Sequence, residues 1–201
     1  VMNTVRELGL SENTYVIYTS DNGPWLQFKN HGGSAGPLRA GKGTTFEGGQ
    51  RVPCVMWAPG RIPAGTTCDK LVGTIDLLPT IAKLTGTQLP TDRKIDGLDV
   101  SELLTGVRAD SPRKEFVHYT SQGDLEGIRQ GKWKLLVKVK QQGKNAQPVP
   151  PEIFLFDLLS DIGEQANLAE ANPEVVESLQ ERMRELDAEI EANARKPWLQ
   201  D

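Results

Sequence analysis

An unbroken apolar run that ends on two adjacent oxygen donors constrains this chain more than any other feature. Tyr15-Val16-Ile17-Tyr18-Thr19 is β-branched or aromatic throughout, and Ser20-Asp21-Asn22-Gly23-Pro24 follows at once. Such a run suits a strand covered on both faces, as in a parallel sheet, and predicts an α/β fold class. In open α/β sheets ligands bind at the carboxyl ends of strands, where Asp21 and Asn22 fall. A carboxylate next to a side-chain amide offers the oxygen ligands that Ca²⁺ or Mg²⁺ prefers. The same five residues also compose a turn, since Asp, Asn, Gly and Pro are the commonest turn formers.

The stretch that follows favours a site. Between Gly32 and Gly49 there are seven glycines, with Lys42 set between Gly41 and Gly43. Little neighbouring bulk covers the Lys42 ammonium, and glycine lets backbone approach a ligand closely. Two metal-type donors and a nearby lysine suit a tetrahedral oxyanion ester. Gly36-Pro-Leu-Arg-Ala-Gly41-Lys42-Gly43 comes close to a phosphate-cradling P-loop, but Gly43 stands where that loop needs a hydroxyl. The following residues, Thr44 to Pro53, make a poor helix, so the nucleotide-binding reading fails on context as well.

The Ser20-Asp-Asn-Gly23 element, followed by Gly36-Pro-Leu-Arg-Ala-Gly-Lys-Gly-Thr-Thr-Phe-Glu-Gly-Gly-Gln-Arg-Val-Pro53, resembles the C-terminal half of a type I sulfatase of the alkaline-phosphatase-like superfamily. The resemblance extends through Thr74–Thr80, Leu155–Leu158 and Gly163–Leu168, so it covers nearly the whole chain. It implies that Asp21 and Asn22 are metal ligands, for Ca²⁺ before Mg²⁺, and that Lys42 pairs with a sulfate oxygen. His31, between them in sequence, is a candidate for contacting substrate or protonating the leaving group. Arg39 and Arg51 are alternative anion contacts, and Glu47 is a candidate partner for Lys42. His118 reads as a packing residue.

The family's nucleophile is a formylglycine made from Cys or Ser in a C/S-x-P-S/A-R motif. Neither Cys54-Val-Met-Trp-Ala nor Cys68-Asp-Lys-Leu-Val fits, and Ser111-Pro112-Arg113 lacks the spacing. Val1 to Gly9 reads as the last turns of an amphipathic helix with no N-cap before it. The expectation is therefore a chain cut inside a helix, with the nucleophile and further metal ligands in a missing N-terminal portion, and no catalysis from these residues alone. The substrate expected by resemblance is a sulfated small molecule or saccharide, and the expected compartment is periplasmic, extracellular or lysosomal. A phosphate or phosphonate ester hydrolase using Mn²⁺ or Zn²⁺, and a non-catalytic binding module that keeps the fold, are the alternatives.

A net charge of −4 argues against general nucleic-acid binding, and no apolar run approaches the ~20 residues that span a bilayer. Turn and breaker residues divide the chain into 1–108, the end of an α/β catalytic domain, and 109–201, an antiparallel sheet with one packed helix. In the first part, Val52–Ala58 reads as a strand, and Asp76 caps a helix with Leu77, Leu78, Ile81 and Leu84 on its apolar face and Gly86 as its stop. In the second, Phe116–Tyr119, Leu125–Gln130, Trp133–Val139 and Ile153–Leu158 read as strands, with a Gly131-Lys132 hairpin. Gln141–Pro151 reads as a mobile loop. Asn172 and Pro173 start a final helix whose Val175, Leu179, Met183, Leu186 and Ile190 lie on one side. Cys54 and Cys68 can pair or stay free, Cys54 as a buried thiol.

Overall fold

The structure is a computed structural model that describes residues 1–138 and 150–195. In chain order its elements are α1 (Met2–Glu7), β1 (Val16–Thr19), α2 (Glu47–Gln50), β2 (Cys54–Trp57), α3 (Leu77–Thr85), α4 (Ser101–Leu104), β3 (Glu115–Tyr119), β4 (Leu125–Gln130), β5 (Trp133–Lys138), β6 (Glu152–Asp157) and α5 (Pro173–Asn193). Short 3₁₀ turns cover Ser11–Asn13, Leu26–His31 and Thr74–Asp76. They group into two compact units. One holds Val1–Asp21 and Pro53–Lys114; the other holds Asn22–Val52 and Glu115–Asp201. The Gly-rich stretch thus packs with the second half of the chain rather than with its sequence neighbours.

In the first unit β1 pairs antiparallel with β2, Val16 opposite Trp57 and Thr19 opposite Cys54. The expected parallel strand covered on both faces is not what forms: Tyr18 is 68% exposed. An apolar run fixes a strand but not its direction of pairing, and here the chain returns beside β1 after its long excursion. Helix α3 also departs from the expected face. Pro79, Thr80 and Ala82 are its buried residues, while Leu78 and Ile81 are exposed. Gly86 does end it, in the left-handed conformation at φ 70°.

Asp76 stands at the position before that helix, but its side chain does not cap it. Its side chain is fully buried, accepts from the amides of Gly73 (2.8 Å) and Leu98 (2.7 Å), and takes a bidentate pair from Arg113 at 2.8 and 2.5 Å. Burial alone would push this carboxyl up; the Arg113 guanidinium and the two amides outweigh it and hold the group below its ordinary range. The two cysteines are free and exposed, so neither the disulfide nor a buried Cys54 forms.

The second unit is a four-stranded antiparallel meander, β3-β4-β5-β6. The four strands and the Gly131 turn (φ 57°) fall where the alternation predicts them. Val139 and the polar loop read as mobile lie largely outside the described residues. Side chains alternate between faces along each strand. One face aligns Val117, Ile128, Leu135 and Leu155 in register across the sheet, and Leu179 and Met183 of α5 pack on it. Of the stripe predicted for α5, Val175, Leu179, Met183 and Leu186 make this contact. Asn172 occupies the position before the helix and Pro173 its first turn, but the Asn172 amide donates to Leu168 O instead of capping.

The opposite face carries Phe116, Arg129, Lys134 and Phe156 in one register row and His118, Gly127, Leu136 and Phe154 in the next. Phe46, from the Gly-rich stretch, packs against Leu136, Phe156 and Leu158 there. This coverage explains how a strand of apparently mixed polarity, Trp133-Lys-Leu-Leu-Val-Lys138, buries Lys134, Leu135 and Leu136 together.

Candidate active site

The Gly-rich stretch folds as stacked turns held by their own backbone. Gly23 N donates to Gly49 O (3.1 Å), Lys42 N to Pro24 O (3.0 Å) and Gly48 N to Arg39 O (2.8 Å). These bonds fasten the Asn22-Gly23-Pro24 turn against the Gly41-Lys42-Gly43 turn. The contact excludes any side chain at Gly23, where a Cβ would lie 1.7 Å from Gly48 O. At Gly48 a Cβ would meet Arg39 O at 2.3 Å. Glycine is required at both points by approach of backbone to backbone.

Asp21 and Asn22 follow β1 in a bend, Asp21 exposed and Asn22 half-buried. As consecutive carboxylate and amide oxygens they suit a hard cation chemically, and two donors alone cannot complete the six to eight oxygens of Ca²⁺. Among the described residues no cluster of three His, Cys, Asp or Glu side chains gathers around them. Lys42 is exposed, with its Nζ 5.1 Å from the centroid of the Trp25 ring. His31 closes the 3₁₀ turn Leu26–His31 and is exposed.

Arg39 is engaged by its surroundings. Its guanidinium lies 4.1 Å from the Phe46 ring centroid and donates to Glu164 O at 2.7 Å. Arg51 lies 3.9 Å from Glu47 with its side chain 39% exposed.

Glu47 does not partner Lys42. It is buried at the start of α2, where Lys134 Nζ donates to its Oε1 at 2.9 Å. Lys134 also lies 3.0 Å from Glu164 Oε1, and the other Glu164 oxygen accepts from Glu47 N at 2.7 Å. Arg129 approaches Glu47 Oε2 at 3.5 Å, so with Lys134 and the more distant Arg51 three cations face the two carboxylates. Burial pushes the Glu164 carboxyl up against the opposing pull of Lys134 and the Glu47 amide. Nearby, Thr45 donates to Glu126, which also accepts from Lys138 at 2.9 Å. Sequence reasoning missed the Lys134–Glu164 pair. The available signal was a lysine on a strand whose neighbours are apolar on both sides, and a Gly163-Glu164 step whose glutamate takes φ 53°.

His118 is buried as expected. Neither ring nitrogen has a partner among the described residues, and burial, aided by Lys134 and Arg129, lowers its pKa to about 3.

The arrangement presents an exposed cation on a backbone-braced loop, beside a turn that carries two oxygen donors.

Comparison with known proteins follows the same lines. Residues 1–87 match the family model described as Sulfatase. Human arylsulfatase A is 37% identical over 96% of this chain. N-acetylgalactosamine-6-sulfatase of the dog is 43% identical over 67% of it. The crystal structure of a Pseudoalteromonas sp. sulfatase superposes on 98% of the chain with a TM-score of 0.81 and 26% identity. The chain spans only part of each, 41%, 25% and 41% of their lengths respectively.

Proposed function

The chain belongs to the sulfatase family, and on that premise we propose that the protein containing it hydrolyses a sulfate ester, with Lys42 as the sulfate contact. The observation that carries this reading is the pair of backbone bonds, Lys42 N to Pro24 O and Gly23 N to Gly49 O, that brace the Lys42 turn on the Asn22 turn. In this reading Asp21 and Asn22 are ligands of a Ca²⁺ ion. Bound there, the ion would draw electron density from the sulfate oxygens. Lys42 holds a second oxygen of the same group and stabilises charge as it builds toward the leaving oxygen. His31, exposed at the end of its turn, donates the proton that the departing alcohol needs. Arg39 supports the loop through Phe46 and Glu164 O. A formylglycine in the part of the relatives that this chain does not span would supply the attack on sulfur. Family membership also leads us to read the protein as exported.

The test is the complete gene product with 4-nitrophenyl sulfate. Lys42→Ala is expected to lower kcat/KM by ~10²–10³, the scale of losing one preorganised charge-stabilising group, with an unchanged far-ultraviolet circular dichroism spectrum. Chelation should abolish turnover and added Ca²⁺ restore it. Full activity in Lys42→Ala would overturn the assignment.

A further inference from the structure

Trp25, Leu26 and Phe28 are three large apolar side chains on one short turn, 46%, 51% and 52% exposed. Trp25 and Phe28 meet edge to face, ring centroids 4.5 Å apart and planes at 74°. The Lys42 ammonium stands 5.1 Å from the Trp25 centroid. An apolar patch of this kind beside a braced cation marks a binding surface rather than a stray exposed residue.

The stretch that carries the patch is basic, although exposed Asp21 lies just before it. From Asn22 to Phe46 the chain carries Lys29, Arg39 and Lys42, with His31, and no Asp or Glu. The occupant must therefore join a flat apolar face to a negative group. We propose that Trp25, flanked by Phe28, is the stacking platform for the sugar ring of a sulfated saccharide whose sulfate is held at Lys42. This rests on the sulfate-contact reading of Lys42. A pyranose offers a C–H face to an aromatic ring and hydroxyls to water, and its sulfate substituent meets the ammonium.

The backbone beneath the platform is bonded to the backbone that carries Lys42. Lys42 N donates to Pro24 O, next to Trp25, and Gly41 packs so closely that a Cβ would touch Pro24 O and Leu26 Cγ. Phe28 N donates to Trp25 O and Gly32 N to Lys29 O, both at 3.0 Å, which closes the turn. Gly32 itself leaves no room for a side chain beside Trp25 O, at 2.0 Å. A movement of the Trp25 backbone relative to the Lys42 backbone has to break these contacts, so both side chains reach a ligand from one braced frame.

The experiment is calorimetric titration of the complete gene product with methyl 6-deoxy-6-sulfo-galactoside, which has no sulfate ester to hydrolyse, and with inorganic sulfate. The sulfo-sugar is expected to bind about tenfold more tightly than sulfate, the margin coming from the aromatic contact. Trp25→Ala should weaken sulfo-sugar binding at least about fivefold and leave sulfate binding within about twofold, while Trp25→Phe keeps part of the margin. The proposal is overturned if the sulfo-sugar binds no better than sulfate or if Trp25→Ala leaves it unchanged. It is also overturned if both ligands weaken alike, which would mean that another part of the polypeptide covers Trp25 or that Trp25 acts only through Lys42. An intact margin in a protein that hydrolyses no sulfate ester would refute the catalytic reading and uphold the saccharide platform.

Discussion

Lys134 Nζ lies 2.9 Å from Glu47 Oε1, and neither side chain reaches solvent. The contact joins the second residue of β5 to the first residue of α2. Thr45, Phe46 and Glu47 therefore cover the sheet face opposite α5, and the turn carrying Lys42 lies a few residues before that anchor. A buried cation needs its carboxylates, because removing one partner leaves an uncompensated charge out of water.

Lys134→Met is the direct probe of this anchor. It leaves Glu47 and Glu164 buried and facing each other, with Arg129 at 3.5 Å and the part-exposed Arg51 at 3.9 Å, both on Glu47. Loss of one partner of a buried pair costs about 3–5 kcal/mol, so urea unfolding of the unit should shift to markedly lower denaturant. A midpoint equal to that of the wild type would mean that water enters beside Lys134 and the pair is not buried in solution.

Arg113 and Lys114 are adjacent and offer a contrast. Arg113 pairs with buried Asp76, whereas Lys114 reaches exposed Asp110 at 2.5 Å. Arg113→Leu strips Asp76 of its charged partner and should destabilise by roughly 3–5 kcal/mol. Lys114→Ala should leave the unfolding midpoint where it was, since solvent and salt already weaken that pair. Thermal unfolding of the two variants side by side decides it; equal losses would contradict the burial argument.

Much of this was legible in the sequence, and the parts that were not share a cause. The four strands of the second unit, the Gly131 hairpin and the α5 stripe follow from local periodicity and turn chemistry, and they fold where predicted. The glycines of the loop read as room for a ligand, whereas Gly41, Gly48 and Gly49 are taken up by backbone packed against backbone. β1 was legible as a strand but its pairing with β2 was not, because a single apolar run carries no information about its neighbour. The Lys134–Glu47–Glu164 group was hidden for the same reason. A lysine 87 residues from its partner reads as surface until the loop is seen to cover the strand. Arg39 likewise reads as an anion contact from the loop alone, because its carbonyl partner Glu164 and the rings of Phe154 and Phe156 lie far along the chain.

His118 gives the second unit an acid-sensitive element. Burial first, then the Lys134 and Arg129 cations, holds its pKa at about 3, against about 6.5 in an unfolded chain. Between those values the unfolded chain takes up a proton that the folded one refuses. Stability is therefore fully present above about pH 6.5 and declines as pH falls toward 3, with a slope approaching ~1.4 kcal/mol per pH unit. His118→Leu removes that uptake. Unfolding free energies at pH 6.5 and 5.0 should differ less in the variant than in the wild type, and the same difference in both would show that His118 does not carry the effect.

Gly23 offers the sharpest test of the bracing between the Asn22 and Lys42 turns. Its amide donates to Gly49 O, and an added methyl would fall 1.7 Å from Gly48 O, which belongs to backbone and cannot rotate aside. Gly23→Ala must therefore push the Asn22 turn off the loop that carries Lys42, while the sheet, α5 and the Lys134 anchor stay as they are. Displacing a positioned group by about 1 Å can cost on the order of 100-fold in rate, so kcat/KM for a sulfate ester should fall on that scale in the complete gene product. Cleavage by trypsin after Lys29, Arg39 or Lys42 should accelerate in parallel, because a loop that loses its closing bonds presents its backbone to the protease. Unchanged cleavage together with unchanged kcat/KM would mean that the two turns are not braced on one another, and the geometry on which Lys42 depends would have to come from elsewhere.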